Sequence, residues 1–190
     1  MKKYLLIIVL FLLSSFSFSQ NIFSDGFETG NTDGSTTVNG WTQAVGPNYT
    51  SYNWTANSTQ TSYNRTPRTG TWDCYLHYSG EAWLFKQVTL TGGTGYVFSV
   101  YARQDGSTTT NATIELKYGT TATIAGMTNS ITSAIGIGSS YQQIKGVLTP
   151  STSGTYYVAI HGWINGSPWY ITIDDVSLDL GVAPTAPPTA

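Results

Sequence analysis

The sequence predicts an all-β protein, a two-sheet antiparallel sandwich of jelly-roll type. Three observations predict it. Short runs rich in Val, Ile, Tyr, Phe, Trp and Thr alternate apolar with polar residues, the period of a half-buried strand. Gly, Asn and Ser punctuate these runs at short intervals, as turns require. Beyond the N-terminal leader, no stretch shows the apolar stripe of a long amphipathic helix.

Residues 1–19 read as a signal peptide. Lys2 and Lys3 form its basic start, and Tyr4 to Leu13 form an apolar stretch too short to span a bilayer comfortably. Ser17-Phe18-Ser19 supplies small residues for a cleavage site after Ser19. No cysteine follows the apolar stretch, so a lipid anchor is excluded and a secreted or cell-surface destination is expected. About 170 residues remain, enough for one well-filled domain.

Strands are expected near 21–28, 39–45, 72–79, 82–90, 95–104, 112–119, 140–149, 154–163 and 169–180, within one module spanning residues 20–180. The alternation says which side chains face inward. Tyr96, Phe98, Val100 and Ala102 share one face, as do Ile114, Leu116 and Tyr118, and Tyr156, Val158 and Ile160. Ala82, Leu84, Val88 and Leu90 form another such face, with an irregularity at Lys86. These faces should interdigitate between the sheets. The stretch Gly46 to Gly70 reads as a long polar loop with room for one short strand, and Thr120 to Ser139 as a second loop. Four Asn-x-Thr triplets in the first loop match the glycosylation pattern, but a chain this rich in Asn and Thr produces them by composition alone. Residues 181–190 contain three prolines and read as an extended linker to a further domain.

Removing Lys2 and Lys3 leaves six basic side chains against ten acidic ones, a net charge near −4. Without a basic patch, nucleic acid and anionic membrane are excluded as partners. The surface should instead be rich in hydroxyls and amides, which suits sugar ligands. Cys74 is alone, so no intramolecular disulfide forms, and its strand pattern makes it a small buried hydrophobe. With two histidines, no Gly-x-Ser-x-Gly elbow and no phosphate loop, a catalytic site is not expected.

Two acidic stretches stand out, Asp25-Gly-Phe-Glu-Thr-Gly30 and Ile173-Asp-Asp-Val176. First and last strands of a sandwich often lie together, and crowded carboxylates need a cation or bound protons. A structural Ca²⁺ held by Glu28 and by Asp174 or Asp175 is therefore expected, with Asp25 and Asp73 as weaker candidates. Adjacent strand residues face opposite ways, so only one of the two aspartates should point inward unless a bulge intervenes.

Subtracting the core faces leaves Trp83, Phe85, Tyr101, Arg103, Tyr157, His161 and Trp163 pointing outward, with Trp54, Trp72 and Trp169 in loops. Sugar rings present apolar C–H faces that stack on such side chains. Tyr101, Arg103, Tyr157, His161 and Trp163 would form one ligand platform if their strands are neighbours; a covering loop, with Gly46–Gly70 the candidate, would make them a satellite core instead. Trp41 belongs to the core.

Phe27-Glu28-Thr29-Gly30, Gly40-Trp41, Gly80-Glu-Ala-Trp-Leu84, Tyr96 to Arg103, Gly154 to Ile160 and Ile173 to Leu178 occur in the order of one group of jelly-roll modules. Across residues 22–180 the chain resembles MAM domains, the cleaved-adhesin or choice-of-anchor J modules of secreted Bacteroidetes proteins, and carbohydrate-binding modules of the galactose-binding-like superfold. The resemblance implies a non-catalytic accessory module that binds a polysaccharide or glycoconjugate, or alternatively an adhesion or spacer domain contacting protein. It also implies the Ca²⁺ between Glu28 and Asp174 or Asp175. The paired disulfides of MAM domains are missing, so their receptor role does not carry over.

Overall fold

The structure is a computed structural model, describing residues 20–49, 52–166 and 170–181. It is the expected all-β sandwich of two antiparallel sheets. In chain order the strands are β1 (Asn21–Asp25), β2 (Thr42–Val45), β3 (Thr55–Asn57), β4 (Asp73–His77), β5 (Glu81–Leu90) and β6 (Tyr96–Gln104). They continue as β7 (Ala112–Gly119), β8 (Asn129–Ser130), β9 (Ile135–Gly136), β10 (Gln142–Leu148), β11 (Gly154–Ile164) and β12 (Tyr170–Leu180). A 3-10 turn at Ile124–Gly126 precedes β8.

One sheet, here sheet A, runs β10-β6-β12-β4-β3, with β1 also paired to β12; sheet B runs β2-β5-β11-β7-β8, with β9 paired to β7. The inward faces read from the alternation meet in one core that includes Leu84, Phe98, Val100, Leu116, Val158 and Ile160. Lys86 marks no break in the ladder, since Val158 stays opposite it in unbroken register. Its ammonium lies 3.1 Å from Asp25 Oδ2 and 4.8 Å from the Trp41 ring centroid, so a charge on the core-facing parity is neutralised at the sandwich edge.

Three features depart from simple alternation. Trp54, expected in a loop, is fully buried, because Thr55–Asn57 pairs with β4 and carries the preceding residue into the core. β12 contains a bulge between Asp174 and Ser177, with Asp175 in a left-handed conformation at φ 47°; Ile173 and Val176 therefore both face the core across two intervening residues. Phe27 is also left-handed at φ 62° yet buried, its N–H donating to Asp25 Oδ1 at 2.9 Å. The first and last strands lie side by side, and the Leu180 N–H donates to the Gln20 carbonyl at 2.7 Å.

Candidate functional site

The acidic corner forms where β1 meets the β12 bulge. Glu28, Asp174 and Asp175 all approach Gly26, where a Cβ would lie within 4 Å of each of them. The protein fills this corner with hydrogen-bond donors. Glu28 Oε1 accepts from the Thr71 and Trp72 amides at 2.9 and 3.0 Å. Asp174, wholly buried, accepts from the Arg68, Thr69 and Asp175 amides at 2.7, 3.0 and 2.7 Å. Asp175 takes the Arg68 guanidinium at 2.5 Å and the Thr69 hydroxyl at 2.6 Å. Asp174 shares the outward parity of Thr172, so it is buried by the overlying Arg68–Thr69 segment rather than by turning into the core.

In this arrangement protein donors, rather than a metal cation, neutralise the carboxylates. Calcium wants six to eight oxygen ligands, and here it would have to displace the Arg68 guanidinium from Asp175 and compete with the amide and hydroxyl donors on Glu28 and Asp174. Among the described residues no group of three or more His, Cys, Asp or Glu could hold a metal ion. The corner works instead as a latch tying the 68–72 segment to β1 and β12. EGTA is accordingly expected to leave the melting temperature unchanged, whereas Asp174→Ala should cost about 2 kcal/mol by stranding buried amide donors. A drop of several degrees with EGTA, reversed by Ca²⁺, would restore the metal reading.

The five residues of the expected ligand platform do not assemble. Tyr101 and Arg103 stand on β6 in sheet A, whereas Tyr157, His161 and Trp163 stand on β11 in sheet B, so they face opposite sides of the sandwich. The Arg103 guanidinium is held by the Thr66 carbonyl and hydroxyl and lies 4.3 Å from the Tyr141 ring centroid. Arg68 caps the Tyr101 ring at 3.6 Å from its centroid.

On sheet B, by contrast, outward aromatics form a continuous stack. Phe85 and Trp83 lie 6.1 Å apart with planes 12° from parallel, Trp83 and His161 lie 3.8 Å apart at 9°, and His161 and Trp163 lie 4.6 Å apart. The centre is roofed: Ala122, Ile124 and Met127 cover Trp83, Phe85 and Ala159, so a loop does bury these rings. The roof comes from the Thr120–Ser139 segment rather than from Gly46–Gly70; its apolar residues Ala122, Ile124 and Met127 carry no alternation to announce them.

Both ends of the stack stay open. Tyr157 borders a cleft of about 340 Å³ shared with Gly40, Thr42 and Gln87. At the other end a pocket of about 210 Å³ is lined by Trp163, His161, Glu81, Asn48 and Tyr49. His161 is fixed from both sides, with Nε2 3.1 Å from Glu81 Oε1 and Nδ1 3.3 Å from Glu115 Oε2. Burial pushes its imidazole below the ordinary value, against the two carboxylates that pull it up. Glu81 and Glu115 escaped the sequence reading. The signal was present, since both fall on the outward parity of strands flanking β11, but the pairing that joins them was not. Trp54 is core rather than ligand surface, Trp72 packs against the core, and Trp169 lies outside the described residues.

No protein-family profile matches the chain, and no curated protein matches it significantly. Solved structures do resemble it. A Stig cyclase, Fisc, from Fischerella sp. TAU aligns with TM-score 0.62 and 16% identity over 88% of this chain and 100% of that one. The K3 cleaved adhesin domain of Lys-gingipain from Porphyromonas gingivalis aligns with TM-score 0.61 and 16% identity, covering 86% and 100%. The carbohydrate-binding module TmCBM61, in complex with β-1,4-galactotriose, aligns with TM-score 0.59 and 15% identity, again covering 86% and 100%. At such identities the likeness establishes the jelly-roll fold.

Proposed function

We propose that this chain is an exported, non-catalytic module that binds a glycan at the Trp163 end of the sheet B stack. The observation that carries this reading is the pairing of a half-buried indole with fixed polar groups around one small pocket. A sugar ring has an apolar C–H face to lie on Trp163, and hydroxyls to meet Glu81, the Asn48 amide and the Tyr49 phenol. The stack behind Trp163 and the two carboxylates on His161 hold that surface rigid before the ligand arrives, which lowers the ordering cost of binding. The galactotriose bound to one structural neighbour supports the ligand class. Export rests on the leader at residues 1–19, and the accessory role on the proline-rich segment 181–190. Catalysis is disfavoured because His161 is locked between two carboxylates and His77 is packed against Tyr52, Tyr78 and Tyr170.

An adhesion role contacting protein is the second reading. It is favoured by the roof over Trp83 and Phe85, which shortens the exposed aromatic line, and by the adhesin-domain neighbour. Affinity electrophoresis in a panel of soluble neutral polysaccharides separates the two. Wild type is expected to be retarded, and Trp163→Ala severalfold less. Equal retardation of both proteins, or none of either, would reject the Trp163 site.

A further inference from the structure

A further concavity lies on the opposite face, and it is built differently. It holds about 490 Å³ and crosses four adjacent strands of sheet A. Its floor is a row of serines set by register: Ser24 on β1 stands opposite Ser177 on β12, and Ser177 stands opposite Ser99 on β6. Three small side chains in one row leave a trough where larger residues would fill the surface. Its walls are Gln143 of β10 beside Tyr101, and the Arg68 strap that covers Tyr101 and pairs with Asp175.

The floor is also oriented. Ser177 Oγ donates to Asp179 Oδ2 at 2.9 Å, so in its 3.0 Å bond with Ser99 it accepts. Ser99 in turn accepts from Gln143 Nε2 at 3.4 Å, and Asn21 donates to Asp179 from the far side at 2.9 Å. Hydroxyls fixed in such a chain do not have to be ordered by a ligand.

The chemistry of the trough selects its occupant. On the rim Asp25 and Asp175 are paired with Lys86 and Arg68, which leaves Glu28 to disfavour phosphates and uronates. A floor of hydroxyls offers little to an apolar peptide. With the Ser99 and Ser177 protons spent within the chain, the floor offers their oxygens as acceptors, which the hydroxyls of an uncharged polysaccharide can meet as donors.

We infer that this trough is a second glycan-binding site, for a neutral polysaccharide, facing away from the Trp163 pocket, so that one module bridges two chains. It shares the ligand class of the proposed function but uses different residues, so the two can fail separately. The test uses the full chain as wild type, Trp163→Ala, Gln143→Ala and the double variant, on soluble β-1,4-galactan, xylan and mixed-linkage β-glucan. Gln143 is exposed on an edge strand, so its replacement should leave the melting temperature alone.

The expected result is that each single variant stays retarded by at least one polysaccharide, more weakly than wild type. The double variant should run unretarded, and only wild type should cloud a concentrated polysaccharide solution by cross-bridging. Ser99→Val, which crowds the trough with an apolar branch, should reproduce Gln143→Ala. If Trp163→Ala alone abolishes all retardation, or if both trough variants match wild type, the second site is wrong and the Trp163 site stands. If Trp163→Ala matches wild type while both trough variants abolish retardation, the trough is the sole site and cross-bridging is overturned. Absence of retardation throughout overturns both.

Discussion

Trp54→Ala is expected to destabilise the domain by about 3–5 kcal/mol, the largest loss from any single side chain considered. The indole is wholly buried, and its N–H donates to the Ala82 carbonyl at 3.1 Å. Gln43 clasps the backbone of the same residue, accepting from its N–H at 2.9 Å and donating to its carbonyl at 3.0 Å. Across the core the ring lies directly on Gly162, where an added Cβ would meet Trp54 Cζ2 at 2.5 Å. The two positions fit as large against absent. Gly162→Ala should therefore destabilise the wild type, and should do so less in a Trp54→Ala background that leaves room for the methyl group. Urea unfolding of the four proteins measures this. A loss below about 1 kcal/mol for Trp54→Ala, or strict additivity of the pair, would show that the site relaxes freely.

Asp73→Asn should act in the other direction, raising stability at pH 8 by about 2 kcal/mol and flattening its pH dependence. Asp73 is wholly inaccessible, and burial raises its carboxyl from 3.8 to about 7, helped by Asp174 and opposed by the Asn57 amide, Arg103 and Arg65. Asp174, next to the Ile173 that pairs with Cys74, is raised to about 6, again chiefly by burial. A carboxyl whose folded pKa exceeds its unfolded value favours the folded state while protonated. That contribution is complete below about 3.8 and is lost as pH rises through about 7. Between these limits the slope is at most about 1.4 kcal/mol per pH unit for one group. The domain should thus melt higher at pH 5 than at pH 8. Asparagine keeps the oxygen that accepts from Asn57 at 2.7 Å and removes the charge. Thermal melts from pH 4.5 to 8.5 decide the matter: an unchanged slope in the variant, or a lower melting temperature at pH 8, would place the proton elsewhere.

The strands were legible because alternation is local. Every residue from Tyr96 to Ala102 falls on the face its parity assigns, since β6 lies mid-sheet with one face on the core. Trp54 was misplaced because β3 is three residues long, too short for alternation to register. The β12 bulge was hidden for a different reason: it depends on Asp175 accepting a left-handed backbone, which sequence permits but does not demand. The acidic corner was found from the carboxylates placed in the first and last strands, yet its neutralisation depends on amides of Arg68 and Thr69 far away in the chain. Parity also put Tyr101 and Trp163 correctly on outward faces. Sheet membership, a matter of long-range pairing, then divided them between opposite sides.

The pairing of β1 with β12 also sets how the module responds to being pulled. The two strands run antiparallel, and Gln20 and Leu180 meet at the same end of the ladder. Tension applied between the two ends of the domain would load these bonds one rung at a time, as a zipper opens, rather than sharing the force among them. β1 would peel away first, from Asn21 toward the latch at Asp25 to Glu28, while the ladders of sheet B stay unloaded. The first strand is in this sense a mechanical fuse, giving extension under load before the opposite face is disturbed.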